Sequence, residues 1–186
     1  LPKQACGGYI QRECTSSLQV MAISDLCDVY AEQVRDGKVR VLPPGMFQIY
    51  GSRRAFSGSI ATVKVLEDNV MVREMLEEDG QGRVLVVDGG ANLPCALLGG
   101  NLVVLAHTNG WSGIVLNGNV RDVDEINNCD IGVRALAAHP VKSSKNKKAC
   151  GEKNGVLTIG GTAIIAGEWC YADSDGIIIS PSRLSI

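Results

Sequence analysis

Apolar positions along this 186-residue chain follow two rhythms, one helical and one extended. In "ISDLCDVYAEQVRDG", Leu26, Val29, Tyr30 and Val34 recur at helical spacing, with Ser24 or Asp25 placed to cap the start and Gly37 to stop the helix. "VLPPGMFQIYG", with consecutive prolines, reads as a loop. In "GSIATVKVLED", residues 58–68, alternation puts Ala61, Val63 and Val65 on one face of a strand. "NVMVREMLEEDG" reads as a helix ended by Gly80. "GRVLVVDGG", residues 82–90, is a near-continuous apolar run into a Gly-Gly turn, the pattern of a strand buried on both faces. Residues 94–109 then read as a helix and 113–118 as a strand. Further strands are expected at 133–138, 156–159, 162–166 and 176–179. Helix and strand alternate early and strands dominate late, which predicts an α/β class. Residues 1–19 show neither period. They are expected to form an N-terminal tail ahead of a single domain spanning 20–186.

Composition narrows the function classes. At 45% hydrophobic and 20% charged, the chain suits one globular domain with a substantial core. A net charge of -2 gives no global attraction to nucleic acid or to an anionic membrane. The lysine-rich "VKSSKNKKACGEK", residues 141–153, contains no aromatic to stack a base and reads as a solvated loop. No apolar stretch approaches the roughly 20 residues that span a bilayer. The seven cysteines are odd in number and form no C-x-x-C. They read as reduced, small hydrophobes, which points to a reducing, cytoplasmic compartment. There is no signal-like leader with an apolar centre, although the chain starts at Leu1 rather than at Met.

Candidate chemistry is sparse. "DGGANLPCALLGGN" fits neither the dinucleotide nor the P-loop glycine fingerprint. Gly99 and Gly100 either let backbone amides approach a small anion or let a helix pack closely on the sheet. Asp88 either assists a cleft at a strand end or shapes the turn there. His107 and His139 stand apart from other ligand types, so a metal role is not assigned to them. Without H-x-x-H, C-x-x-C or G-x-S-x-G, structural zinc and serine-hydrolase chemistry lose their support. What remains is "GIVLNGNVRDVDEIN", where Arg121 and Asp122 follow an interior strand. The pair is either a helix start, with Asp122, Asp124 and Glu125 in a favourable first turn, or a guanidinium and a carboxylate suited to a hard divalent ion and an acidic substrate.

A family resemblance bears on that choice. "DLCDVY", "GRVLVVDGG", "LLGGNL", "GWSGIVLNGNVRDVDEI", "DIGVRALAAHPV" and "YADSDGIIIS", in this order, resemble the regulator of ribonuclease activity A and the class II 4-hydroxy-4-methyl-2-oxoglutarate aldolases. The most specific element is Gly99, 21 intervening residues, then Arg121-Asp122. The resemblance implies a compact sheet-and-helix sandwich of the swivelling, phosphohistidine-like type, assembled as a homotrimer. It also implies that Arg121 binds a 2-keto acid substrate and that Asp122 binds Mg or Mn, largely through water. Gly99, Gly100, Asn101 and Leu102 would offer backbone contacts to the pyruvyl carboxylate. The implied reaction is cleavage of 4-hydroxy-4-methyl-2-oxoglutarate to two pyruvates. Loss of CO2 from oxaloacetate gives the same enolate and is implied as a second activity. Two differences from the aldolases are visible: many carry an acidic side chain where this chain has Gly100, and some have a longer C-terminal segment that lends a glutamate to the neighbouring site. The alternative reading is a non-catalytic regulator that binds a ribonuclease. In that regulator the position after the arginine resembles a glutamine, whereas here it is Asp122, which favours the enzyme.

Overall fold

A computed structural model describes residues 22–91, 94–144 and 151–185. The expected tail, residues 1–19, lies outside them. The elements are α1 (Ile23–Val29), α2 (Ala31–Arg35), β1 (Arg40–Val41), β2 (Gln48–Tyr50), β3 (Phe56–Val65), α3 (Val70–Glu77), β4 (Val84–Asp88), β5 (Ala96–Leu98), α4 (Gly100–Thr108), β6 (Gly113–Val120), α5 (Val123–Asn127), β7 (Gly132–Ala138), β8 (Gly151–Lys153), β9 (Leu157–Ile159), β10 (Thr162–Ile164), β11 (Trp169–Ala172) and β12 (Ile177–Ser180). The fold is mixed α/β. Its main sheet runs β1-β12-β11-β3-β4-β6-β7-β2, with β5 paired to β6 and β8 to β3, while β9 and β10 form a separate hairpin.

The centre of the sheet, β3-β4-β6-β7, is parallel, and helices lie in the connections. All of β4 is buried. Leu85 and Val87 face the core under α3, α4 and α5, while Val84 and Val86 face a second core closed by the β9–β10 hairpin. Burial on both sides is why this strand reads as a continuous apolar run. In α3, Val72, Met75 and Leu76 fall on one buried stripe, at the i, i+3, i+4 spacing of an amphipathic helix. A third, smaller core holds Ile23 and Leu26 of α1 against Tyr171 and Ile178.

The end of the sheet where the parallel strands begin is closed by an aromatic wedge. Gly113 and Gly132 are register partners at the starts of β6 and β7, and a Cβ on either would run into the Phe56 ring. Above that ring, at 5.3 Å, lies the guanidinium of Arg134. Arg134 is buried and donates to the carbonyls of Val133, Arg54 and Asp173, tying three separate segments together.

Five expectations are corrected. The helix from 23 is two helices broken at Tyr30, whose hydroxyl donates to Ser185 O at 2.8 Å and accepts from Ser185 N. Neither Ser24 nor Asp25 caps it, because Asp173 Oδ2 accepts the Ile23 amide from across the chain. The loop at 41–51 contains β2, an edge strand paired to β7. The helix at 94–109 begins only at Gly100, since Ala96–Leu98 form a strand beside β6. The lysine-rich loop ends in β8, which ladders along β3 and sets Lys153 Nζ 2.7 Å from Glu74. Strand β11 was not foreseen, although Gly167 before it and Asp173-Ser174-Asp175-Gly176 after it are turn signals that frame its four residues.

Three of the seven cysteines, Cys6, Cys14 and Cys150, lie outside the described residues; of the rest, Cys95, Cys129 and Cys170 are buried and Cys27 is half-buried. Cys27, Cys95, Cys129 and Cys170 are free thiols, and burial pushes Cys170 up to about 12. No helix among the described residues is long and apolar enough to cross a membrane.

Candidate active site

Three neighbouring strands end at one level. Leu98 of β5 and Ala138 of β7 are both register partners of Val120 in β6. The chain therefore leaves the sheet side by side at Gly99, Arg121 and His139. Main-chain bonds fix this: Arg121 N donates to Leu98 O at 2.9 Å, and His139 N to Val120 O at 2.8 Å. The carboxyl ends of parallel strands are where open α/β sheets place their ligands. Here Arg121, Asp122, Val123, Ala138, His139 and Pro140 line a cleft of about 330 Å³.

Asp122 holds the N-cap position of α5, yet it does not cap that helix. Its backbone is left-handed, φ 58° and ψ 47°, a conformation costly for a residue with a Cβ and found preferentially at functional sites. This twist turns the carboxylate backwards, to Gly100 N at 3.3 Å and to Arg121 Nε at 3.2 Å. The side chains of Arg121 and Asp122 stay about a third exposed, at 35% and 33%, so a ligand can reach both. The surface pairing itself contributes little stability.

Two carboxylates explain the glycines. A Cβ on Gly99 would lie 2.9 Å from Asp122 Oδ2, and one on Gly100 would strike the carboxylate of Glu125. The contacts show a third use beside the two expected: the missing side chains leave room for Asp122 and Glu125, and the Gly100 amide donates to Asp122 itself. Asn101 follows in the first turn, exposed, with no hydrogen bond recorded for its amide among the described residues. Leu102 departs from expectation. Its amide donates to Gly99 O at 3.1 Å and its side chain is buried in the main core, so it is committed to the fold.

Glu125 is the residue that sequence reasoning missed. It lies three residues after Asp122, one turn into α5, and its carboxylate occupies the space that a side chain at position 100 would fill. The absence of an acid at Gly100 is thus matched by an acid from the neighbouring helix. The spacing Asp122-x-x-Glu125 was the available signal. Asp88 takes the turn role: its Oδ1 accepts from Asn117 Nδ2 and from Gly90 N, each at 2.8 Å. His107 lies in the last turn of α4, away from the cleft lining.

Among the described residues no group of three His, Cys, Asp or Glu side chains could cage an ion. Asp122 with Glu125 nearby supplies two carboxylates only. That set fits Mg2+ or Mn2+ carrying most of its own water, as Mg2+ commonly does beside one or two carboxylates.

Clefts also lie elsewhere among the described residues. One of about 220 Å³ lies by Pro43, Pro44 and Arg134. A larger one, about 880 Å³, lies at the opposite end of the sheet and includes Arg53, Arg83 and Arg183. Arg53 pairs with Asp130 at 3.0 Å, and that pairing holds the Asp130 carboxyl below its ordinary range. Arg83 donates to the carbonyls of Gly80 and Asp79 and covers Trp111, and Arg183 covers Trp169.

A family model described as RraA-like: Aldolase/RraA matches residues 23–179. The chain belongs to the RraA-like family. Within it, the chain is 59% identical over 163 residues to an Arabidopsis thaliana protein with the provisional name 4-hydroxy-4-methyl-2-oxoglutarate aldolase 1, covering 88% of this chain and 96% of that one. Among solved structures it resembles the RNA-processing inhibitor RraA from Thermus thermophilis, at 42% identity and a TM-score of 0.81, covering 89% and 95% of the two chains. It also resembles a Geobacillus kaustophilus protein described as an S-adenosylmethionine: 2-dimethylmenaquinone methyltransferase, at 43% identity and TM-score 0.80, covering 88% and 97%. RraA-like chains thus carry several functional names, and the residues of each site must decide between them.

Proposed function

We propose that this RraA-like protein is a divalent-metal-dependent lyase that cleaves 4-hydroxy-4-methyl-2-oxoglutarate into two pyruvates and also decarboxylates oxaloacetate. The observation that carries the reading is Asp122: a carboxylate held in a left-handed backbone and turned away from the helix it begins, toward Arg121 and the α4 amide. A helix start alone would not need that strain. The provisional aldolase name of the Arabidopsis relative supports the same reaction.

Arg121, planar and permanently charged, binds the carboxylate and keto oxygen of the substrate. The exposed first turn of α4, with the amide of Asn101, orients the same carboxylate. A divalent cation near Asp122 and Glu125 would supply Lewis-acid polarisation of the 2-keto group. In the cleavage a water in the open cleft takes the 4-hydroxyl proton, the C4–O bond becomes the carbonyl of the first pyruvate, and the C3–C4 bond breaks with its electron pair passing to the 2-keto oxygen as an enolate. Arg121 stabilises that oxygen as its charge grows. Protonation at C3 then completes the second pyruvate. Decarboxylation of oxaloacetate passes through the same enolate, with CO2 as the leaving fragment.

The finer features follow from the family resemblance and stand as proposals with it: a swivelling-type sandwich, a homotrimer and a cytoplasmic location. The Thermus relative's description supports a second reading, ribonuclease regulation by contact. The test is pyruvate release from both substrates with Mg2+, in excess EDTA, and after Mg2+ is restored. Metal-dependent release from both supports the lyase. No release under any condition, combined with inhibition of a ribonuclease, would transfer the assignment to the regulator.

A further inference from the structure

We propose that His139 is a specificity-determining residue, its Nε2–H donating to the far carboxylate of a keto diacid whose keto-acid end is held at Arg121. The inference rests on the lyase reading and names a contact that reading does not contain. His139 follows β7 where Arg121 follows β6, and both line one cleft. Its Nδ1 accepts the Val141 amide at 3.2 Å. A ring nitrogen that accepts a backbone N–H has no proton of its own, so in the neutral ring the proton resides on Nε2. No hydrogen bond is recorded for Nε2 among the described residues.

The ligand class comes with the lyase reading, and the donor follows by elimination among the groups that line the cleft. A keto diacid brings two carboxylates. Of the six lining residues, Val123, Ala138 and Pro140 offer no side-chain donor, and Asp122 repels an anion. Arg121 is taken by the keto-acid end. Among the described residues lining the cleft, His139 is then the remaining side-chain donor for the second carboxylate, at the end of the strand beside that of Arg121. A hydrogen bond to a charged group is stronger than one between neutral partners, and a substrate lacking the far carboxylate forgoes it.

The test separates the two ring nitrogens. His139→Asn keeps an acceptor near the Nδ1 position for the Val141 amide but removes the far donor. His139→Gln restores a donor near Nε2 and gives up the acceptor. Two non-reacting ligands are titrated by calorimetry with Mg2+ present: oxalate, which occupies only the keto-acid end, and 2-oxoglutarate, which has the second carboxylate. Expected for His139→Asn is about a tenfold loss of 2-oxoglutarate affinity with oxalate within twofold of wild type, on the scale of one charge-assisted hydrogen bond. His139→Gln should recover 2-oxoglutarate to within about threefold. Loss of both ligands together in either variant, or a His139→Gln protein worse than His139→Asn, would show that the residue serves the 139–141 turn and overturn the proposal. Unchanged 2-oxoglutarate affinity in His139→Asn would also overturn it. Wild-type protein that binds neither ligand would instead remove the lyase reading beneath it.

Discussion

The two ends of the parallel sheet present opposite chemistry. Where the strands begin, the cleft is large, about 880 Å³, and its arginines are already engaged: Arg53 by Asp130, Arg83 by two carbonyls and Trp111, Arg183 by the face of Trp169. Where the strands end, the cleft is smaller, about 330 Å³, but Asp122, Arg121 and His139 face it with hydrogen-bonding capacity to spare, Asp122 from a left-handed backbone. Volume does not distinguish a site. Unused hydrogen-bonding capacity at strand ends is the better guide.

The sharpest way to break the comparison is Asp122→Asn. Asn tolerates a left-handed backbone, so the fold should persist while turnover falls by about 10²–10³-fold, the scale of one electrostatic stabiliser. Equal turnover in steady-state kinetics would erase the functional end. Next in size is Arg134→Met near the Phe56 wedge. Three carbonyls lose their buried donor, so urea denaturation should show a loss of about 3 kcal/mol, while kcat in the folded protein is unchanged. A kinetic effect there would mean that the two ends are coupled. Arg121→Lys keeps the charge and loses the planar fork. Substrate binding should weaken at least about tenfold, with stability within about 0.5 kcal/mol of wild type, as for a surface substitution. The smallest effect is the most diagnostic. Asp122→Gly removes the Cβ that makes the left-handed backbone costly, so thermal denaturation should show an inactive protein stabilised by about 0.5–1 kcal/mol.

The strand ends also show where sequence reasoning stops. β4 was legible because five residues buried on both faces leave a continuous apolar run. The stripe of α3 was legible because one face meets the core. The break at Tyr30 was not, since it is pinned by Ser185, 155 residues away. β5 was hidden because three apolar residues running into a helix carry no period of their own. In the site, Arg121 and Asp122 were visible as adjacent letters with two meanings; the helix start is there in α5, with Asp124 and Glu125 in its first turn, and the left-handed angle of Asp122 is what spacing could not show. Glu125 needed the approach of α5 to Gly100, and His139 needed the register of β7 against β6. Both relations are tertiary, so local pattern could not supply them.

The Phe56 wedge has a consequence for how this sequence can change. Gly113, Gly132 and the ring that fills the space above them behave as one inherited unit. Alanine at either glycine is incompatible with the phenylalanine, and a smaller residue at 56 leaves a void beneath the Arg134 guanidinium. Each single step is penalised, whereas a joint change of Phe56 and a glycine restores the filled volume. The three positions should therefore drift together among descendants of this chain, in a coupling set by geometry at the end of the sheet away from Arg121 and Asp122.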